Sequence, residues 1–172
     1  TVNGVLNLEW GMSRTAATRL LLQRDGVSLL DDDSYSPEVA SFSGGTLAGY
    51  EVGVWLLYFD NNKLWDARVG LIMDLESDAL PTYKEIKNLL KKKYGQPDFD
   101  VAQYDYPYEA GDGYEETAIK VGKGFIGCDW NLSKTTISLQ ILNTLDLMLL
   151  YRSTELSTEA KQKQKTQKLD EF

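Results

Sequence analysis

The chain has 172 residues, 42% of them apolar, so one domain, or two small lobes sharing a core, can bury enough surface to fold unaided. Its 18 Lys and Arg against 26 Asp and Glu give a formal charge of -8, the wrong sign for gripping a phosphate backbone, and nucleic acid is excluded as the expected partner. With no histidine and a single cysteine, Cys128, the chain cannot build a His-dependent triad, a histidine metal site, a zinc ribbon or an internal disulfide.

The longest apolar stretches, Val52 to Phe59 and Leu145 to Tyr151, are strand-length and fall short of the roughly 20 residues a membrane-spanning helix needs. No transmembrane segment is expected. No basic and apolar leader stands at Thr1, which is also what a mature chain with its signal peptide removed would show. A lone cysteine suits either redox compartment.

In chain order, Ser13 is placed to cap a first helix over about residues 14 to 24, with Ala16, Ala17, Leu20 and Leu21 at helical spacing and Gly26 as its stop. Val27 to Leu30 and Val39 to Phe42 follow as two modest strands, separated by the acids Asp31, Asp32 and Asp33 and by Pro37. Tyr50 to Phe59 and Leu64 to Leu75 then form a hairpin around Asp60-Asn61-Asn62-Lys63. Alternation on its second strand predicts Trp65, Ala67, Val69, Leu71 and Met73 on a packed face, with Asp66, Arg68 and Asp74 on a wet one.

A second helix is predicted from Pro81-Thr82, with Thr82 and Glu85 spaced as a capping box and Ile86, Leu89, Leu90 and Tyr94 as its apolar stripe. Lys91, Lys92 and Lys93 suit its last turn, and Gly95 and Pro97 end it. Strands are then expected at Val101 to Tyr108, Tyr114 to Val121, Phe125 to Trp130, Thr135 to Leu142 and Leu145 to Tyr151, with Pro107 marking its strand as an edge. Residues 155 to 172 read as a solvated helix anchored by Leu156, Ala160 and Leu169. Four Lys there balance four acids, so the whole charge of -8 belongs to the body of the chain.

The fold class is therefore α+β, with a mostly antiparallel sheet of about eight strands. Two tandem helix-plus-sheet units, residues 1-80 and 81-154, precede the C-terminal tail, 155-172. The segments Leu8-Glu9-Trp10-Gly11-Met12-Ser13, Phe59-Asp60-Asn61-Asn62-Lys63-Leu64 and Lys93-Tyr94-Gly95-Gln96-Pro97 resemble landmarks of small exported bacterial proteins of uncharacterised function. The Trp130 to Ile141 segment and the strand ending at Tyr151 are similar to the same group. The repeated order also resembles the beta-lactamase-inhibitor-protein-like architecture, although the cysteine pairs that brace that inhibitor are missing. The resemblance implies one curved sheet with helices on one face, a partner protein bound on the open sheet face, a periplasmic or secreted location, and no catalytic residue.

Among candidate sites, Asp31, Asp32, Asp33, Ser34 and Glu38 offer oxygens for Ca²⁺, but Tyr35 and Ser36 break the EF-hand spacing. Seven acids between Asp98 and Glu116, with no Lys or Arg among them, admit either an acidic strand edge or a carboxylate pair for hydrolysis of a sugar polymer. The glycines at 44-45, 111-113 and 122-124 match no phosphate-binding fingerprint, Ser13 and Ser133 lack a base, and Cys128 reads as a structural thiol. The most specific surface feature is Tyr104, Tyr106 and Tyr108 on one face of a strand, flanked by Asp105 and Glu109, which predicts an aromatic contact for a basic partner protein. The expected protein is non-enzymatic and uses no cofactor and no metal.

Overall fold

The computed structural model describes residues 4–30 and 36–171. A small ladder of β1 (Gly4–Val5) and β2 (Leu8–Glu9) precedes α1 (Arg14–Leu22), β3 (Ser28–Leu29), β4 (Val39–Ser43), β5 (Thr46–Leu47), β6 (Tyr50–Asp60) and β7 (Lys63–Leu71). After a 3-10 turn at Glu76–Asp78 come α2 (Ala79–Tyr94), β8 (Phe99–Tyr104), α3 (Glu115–Lys120), β9 (Gly124–Asn131), β10 (Thr135–Ile141), β11 (Leu147–Ser153) and α4 (Thr154–Asp170). Among the described residues the main sheet has nine strands, in the order β3-β4-β6-β7-β11-β10-β9-β8, with β5 paired to β6. It is open and antiparallel, with helices packed on one side, and α+β is its class. Strands β3 to β7 fill one half and β8 to β11 the other, meeting at the β7–β11 ladder.

Local signals set the first helix and the hairpin. The Ser13 hydroxyl accepts from the Ala16 N–H at 3.2 Å, and Ala17 and Leu21 bury the inner face of α1. Asn61 and Asn62 both adopt positive φ, 48° and 58°, the backbone of a tight hairpin turn. Helix α2 begins three residues before the predicted Thr82, because Ala79 is buried and starts the apolar stripe that Tyr83, Ile86 and Leu90 continue. Thr82 and Glu85 thus lie inside the helix and form no capping box. Gly95, at φ 89°, terminates α2 as expected.

Alternation places Ala67, Val69 and Leu71 of β7, Leu147, Leu149 and Tyr151 of β11, and Ile137, Leu139 and Ile141 of β10 in one continuous core beneath the helices. Two expectations on β7 fail there. A register shift at Tyr58/Phe59 puts Leu64 into the core in place of Trp65, and Asp66, expected to be wet, is fully buried. The strand also stops at Leu71 and does not reach Leu75.

Beyond α2 the expected strand from Val101 to Tyr108 is shorter and earlier, ending at Tyr104, where Asp105 to Tyr108 form a turn closed by Tyr108 N–H to the Asp105 carbonyl at 2.9 Å. The expected strand from Tyr114 to Val121 is instead α3. Glu115 and Glu116 in its first turn and Lys120 in its last complement a helix dipole, and the adjacent pair Ala118 and Ile119 is buried together, which a strand would split between two faces. In α4, Ser153 caps the Leu156 N–H at 3.2 Å and Ala160 is buried, whereas Leu169, predicted as an anchor, is exposed.

The hydroxyl of Tyr83 is buried against the Cys128 thiol, a weak hydrogen-bonding group, and makes no well-formed hydrogen bond among the described residues. Burial holds its pKa well above the ordinary tyrosine value. Because a buried unpaired hydroxyl is a standing cost, Tyr83→Phe is expected to leave stability unchanged or raise it by up to about 1 kcal/mol. Urea denaturation checks this, and a loss of that size would show that the hydroxyl has a partner.

Candidate functional site

The side of the sheet opposite α1 and α2 carries the in-between residues of each strand. Antiparallel register aligns them in rows. Arg68 of β7 stands opposite Leu150 of β11, which faces Ser138 of β10, then Asp129 of β9 and Phe99 of β8. In the next row lie Gly70, Met148, Gln140, Gly127 and Val101. Phe99 is 59% exposed, Phe125 48% and Val101 38%, and with Met148 and Leu150 they line a shallow trough of about 380 Å³. Gly127 makes the floor flat. A Cβ built there would meet the Phe125 ring at 2.9 Å, so only glycine lets that ring lie across the strand undisplaced.

The trough ends at a charged cluster. Asp66 accepts from Arg68 Nε at 3.0 Å and from Arg152 Nε and Nη2 at 2.9 and 2.7 Å. Arg68 lies 4.7 Å over the Tyr58 ring, and Arg152 lies 5.4 Å over Trp65. Burial works to lower the Arg68 pKa, but the hydrogen bond and charge of Asp66 outweigh it and hold the guanidinium above its ordinary value. Two guanidiniums against one carboxylate leave this patch net positive within an acidic protein. A second cavity, of about 340 Å³, separates Tyr58, Trp65 and Arg68 from Ala160, Lys163 and Gln167 of α4.

The structure disperses the predicted tyrosine ladder. Tyr104 points to the helix side and packs against the core, with its pKa raised by burial and then by Glu115, Asp112 and Glu116. Tyr106, in the turn, is 91% exposed, and Tyr108 is half-buried. Asp105 and Glu109 are exposed, but their main-chain N–H groups are engaged by the Lys123 carbonyl and by Asp112. These five residues do not form one strand face, because the turn after Tyr104 breaks the two-residue period. The edge position inferred from Pro107 does match β8, the last strand of the sheet.

The carboxylates of residues 98 to 116 are largely spent on local structure. Asp98 accepts the Asn131 N–H, Asp100 binds Lys87, Asp112 accepts the Glu109 and Tyr114 N–H groups, and Glu115 accepts from Gly111. Cys128 is buried, and burial pushes its thiol pKa up, away from nucleophilic use. Among the described residues no group of three Cys, Asp or Glu side chains could hold a metal ion, and no helix is long and apolar enough to cross a membrane. The loop Asp31 to Asp33, with Ser34, lies outside the described residues.

The open face thus presents apolar side chains beside a paired charge cluster. Phe99, Val101, Phe125, Met148 and Leu150 were not singled out from the sequence, although one signal was present. Leu147 to Leu150 is apolar at every position, and an unbroken apolar run on a strand means that both sheet faces carry apolar side chains. No family model, no curated protein and no solved structure matches this chain.

Proposed function

We propose that the protein is a non-enzymatic protein-binding module of the bacterial cell envelope that receives its partner on the open sheet face. The carrying observation is the uncovered trough of Phe99, Val101, Phe125, Met148 and Leu150, with the Arg68–Asp66–Arg152 cluster at its end. Exposed apolar side chains from β8, β9 and β11 on either side of a polar floor of Ser138, Gln140 and Asp129 give the mixed apolar and hydrogen-bonding surface that suits an interaction site. An exported location, periplasmic or secreted, is supported by the resemblance of the segments around Trp10, Asn61 and Tyr94 to exported bacterial proteins. The local use of the acids at 98 to 116 favours binding over hydrolysis of a sugar polymer.

A photoreactive side chain at Gln140, on the open face, tests the reading against one at Lys84, exposed on α2. In bacterial envelope extract the Gln140 probe is expected to give a discrete protein adduct that the Lys84 probe does not, and Met148→Glu should abolish it. Equal labelling from both positions, or none at Gln140, would overturn the reading.

A further inference from the structure

The sheet ends at β8, and the outer edge of that strand is open. Asp105 N–H donates to the Lys123 carbonyl at 2.8 Å, in the register that pairs Tyr104 with Gly124. Bonded and non-bonded pairs alternate in an antiparallel ladder, so Val101 and Gln103 are residues whose main-chain groups bond β9, and at the start of the strand Asp98 N–H donates to the carbonyl of Asp129, the partner of Phe99, at 2.8 Å. The N–H and C=O groups of Asp100, Ala102 and Tyr104 point outward, and none of the described residues bonds them. Five of the six β8 residues are exposed, Ala102 on the helix side among them, so neither face is covered at the edge.

Open edges are ordinarily guarded by proline, a bulge or lysine. Residues 99 to 104 contain none of these. The charges at the strand itself are acids, Asp98, Asp100 and Asp105, with no Lys or Arg anywhere from 98 to 116; Lys87 of α2 pairs with Asp100 at 2.6 Å, while Asp98 and Asp105 have no cation partner among the described residues. Such an edge repels a second copy of itself, which would bring the same charges, and attracts a segment that carries Lys or Arg.

We propose that β8 takes an extended basic segment of another protein as an added strand, extending the nine-stranded sheet by one. Side chains alternate on such a segment. Those on the open side continue the surface of Phe99 and Val101 and are apolar, whereas those on the other side fall beside Asp100 and Tyr104 and are basic. This rests on the protein-binding reading of the open face and supplies the conformation and chemistry of the partner there.

The probe is the capped peptide acetyl-Val-Lys-Val-Lys-Val-Lys-amide, added to the full chain while amide hydrogen exchange is followed by NMR. Exchange at Asp100, Ala102 and Tyr104 is expected to slow at least about tenfold, and less so as added salt screens the charges. A peptide with Glu for Lys, or one N-methylated at alternate residues, should have no such effect. Ala102→Pro, which removes an outward N–H where an edge tolerates proline, should abolish the protection and leave the rest of the spectrum native. No protection by the lysine peptide, equal protection by the glutamate peptide, or changes confined to Met148 and Leu150 would overturn the proposal. If Gln140 captures a partner while the β8 amides stay unprotected, strand addition falls and the face reading stands. If the β8 amides are protected while Gln140 gives no adduct, strand addition stands and the face reading falls.

Discussion

Asp66→Ala is expected to lose about 3 kcal/mol of folding stability, among the largest effects of any single polar substitution in this protein. The Asp66 side chain is completely buried and is tolerated there only because two guanidiniums hold it. Its removal leaves Arg68 and Arg152 as like charges side by side, on adjacent strands, with no counter-ion between them. Both keep part of their contact with water, at 31% and 28% side-chain exposure, which places the loss at the lower end for broken buried pairs. Arg152→Ala should cost less, about 1 to 2 kcal/mol, since Asp66 retains Arg68. Urea unfolding measures both. An Asp66→Ala variant as stable as the parent would show that the cluster contributes nothing to the fold and that its worth lies elsewhere on the open face.

Trp130→Ala should cost about 4 kcal/mol, the scale for emptying a buried aromatic site. Trp130 is fully enclosed, and its Nε1–H donates to the Gly95 carbonyl at 2.8 Å, which fastens the end of α2 to β9. Two contributions are lost together: apolar volume in the core and the partner of a carbonyl at a helix terminus. Trp130→Phe keeps most of the volume and drops the hydrogen bond, so a loss of about 1 to 2 kcal/mol is expected. Equal losses for the two variants in calorimetric melting would mean that the hydrogen bond, and not the packing, is the dominant contribution.

The elements legible in advance were those whose signals are local. A cap at Ser13, a paired Asn61-Asn62 turn and a terminating Gly95 act within a few residues of themselves, and each does in the structure what its chemistry implies. Tyr104 to Tyr108 and Tyr114 to Val121 depart from the strands that their alternation predicts because their periods are short and their neighbours decide. The Asp105–Tyr108 turn ends one pattern, and packing of α3 on β9 buries Ala118 and Ile119 side by side. Trp65 and Asp66 depart from their expected environments because Trp65 is an extra, unpaired residue in β7 between Leu64, opposite Phe59, and Asp66, opposite Tyr58, and a bulge of that kind is set by the pairing with β6 and not by the pattern of β7 alone.

The α+β class, the approximate positions of α1, α2 and the β6–β7 hairpin, the acidity of the body and the lack of histidine chemistry are legible from residue order alone, because composition, capping and short-range periodicity are properties of neighbouring residues. Which sheet face stays uncovered, which main-chain amides of the edge strand β8 point outward, and that Asp66 meets Arg152 across 86 residues of chain emerge only once the chain is folded. Those outcomes depend on strand order and on which helices cover which surface, which are set by the competition of the whole chain for one core.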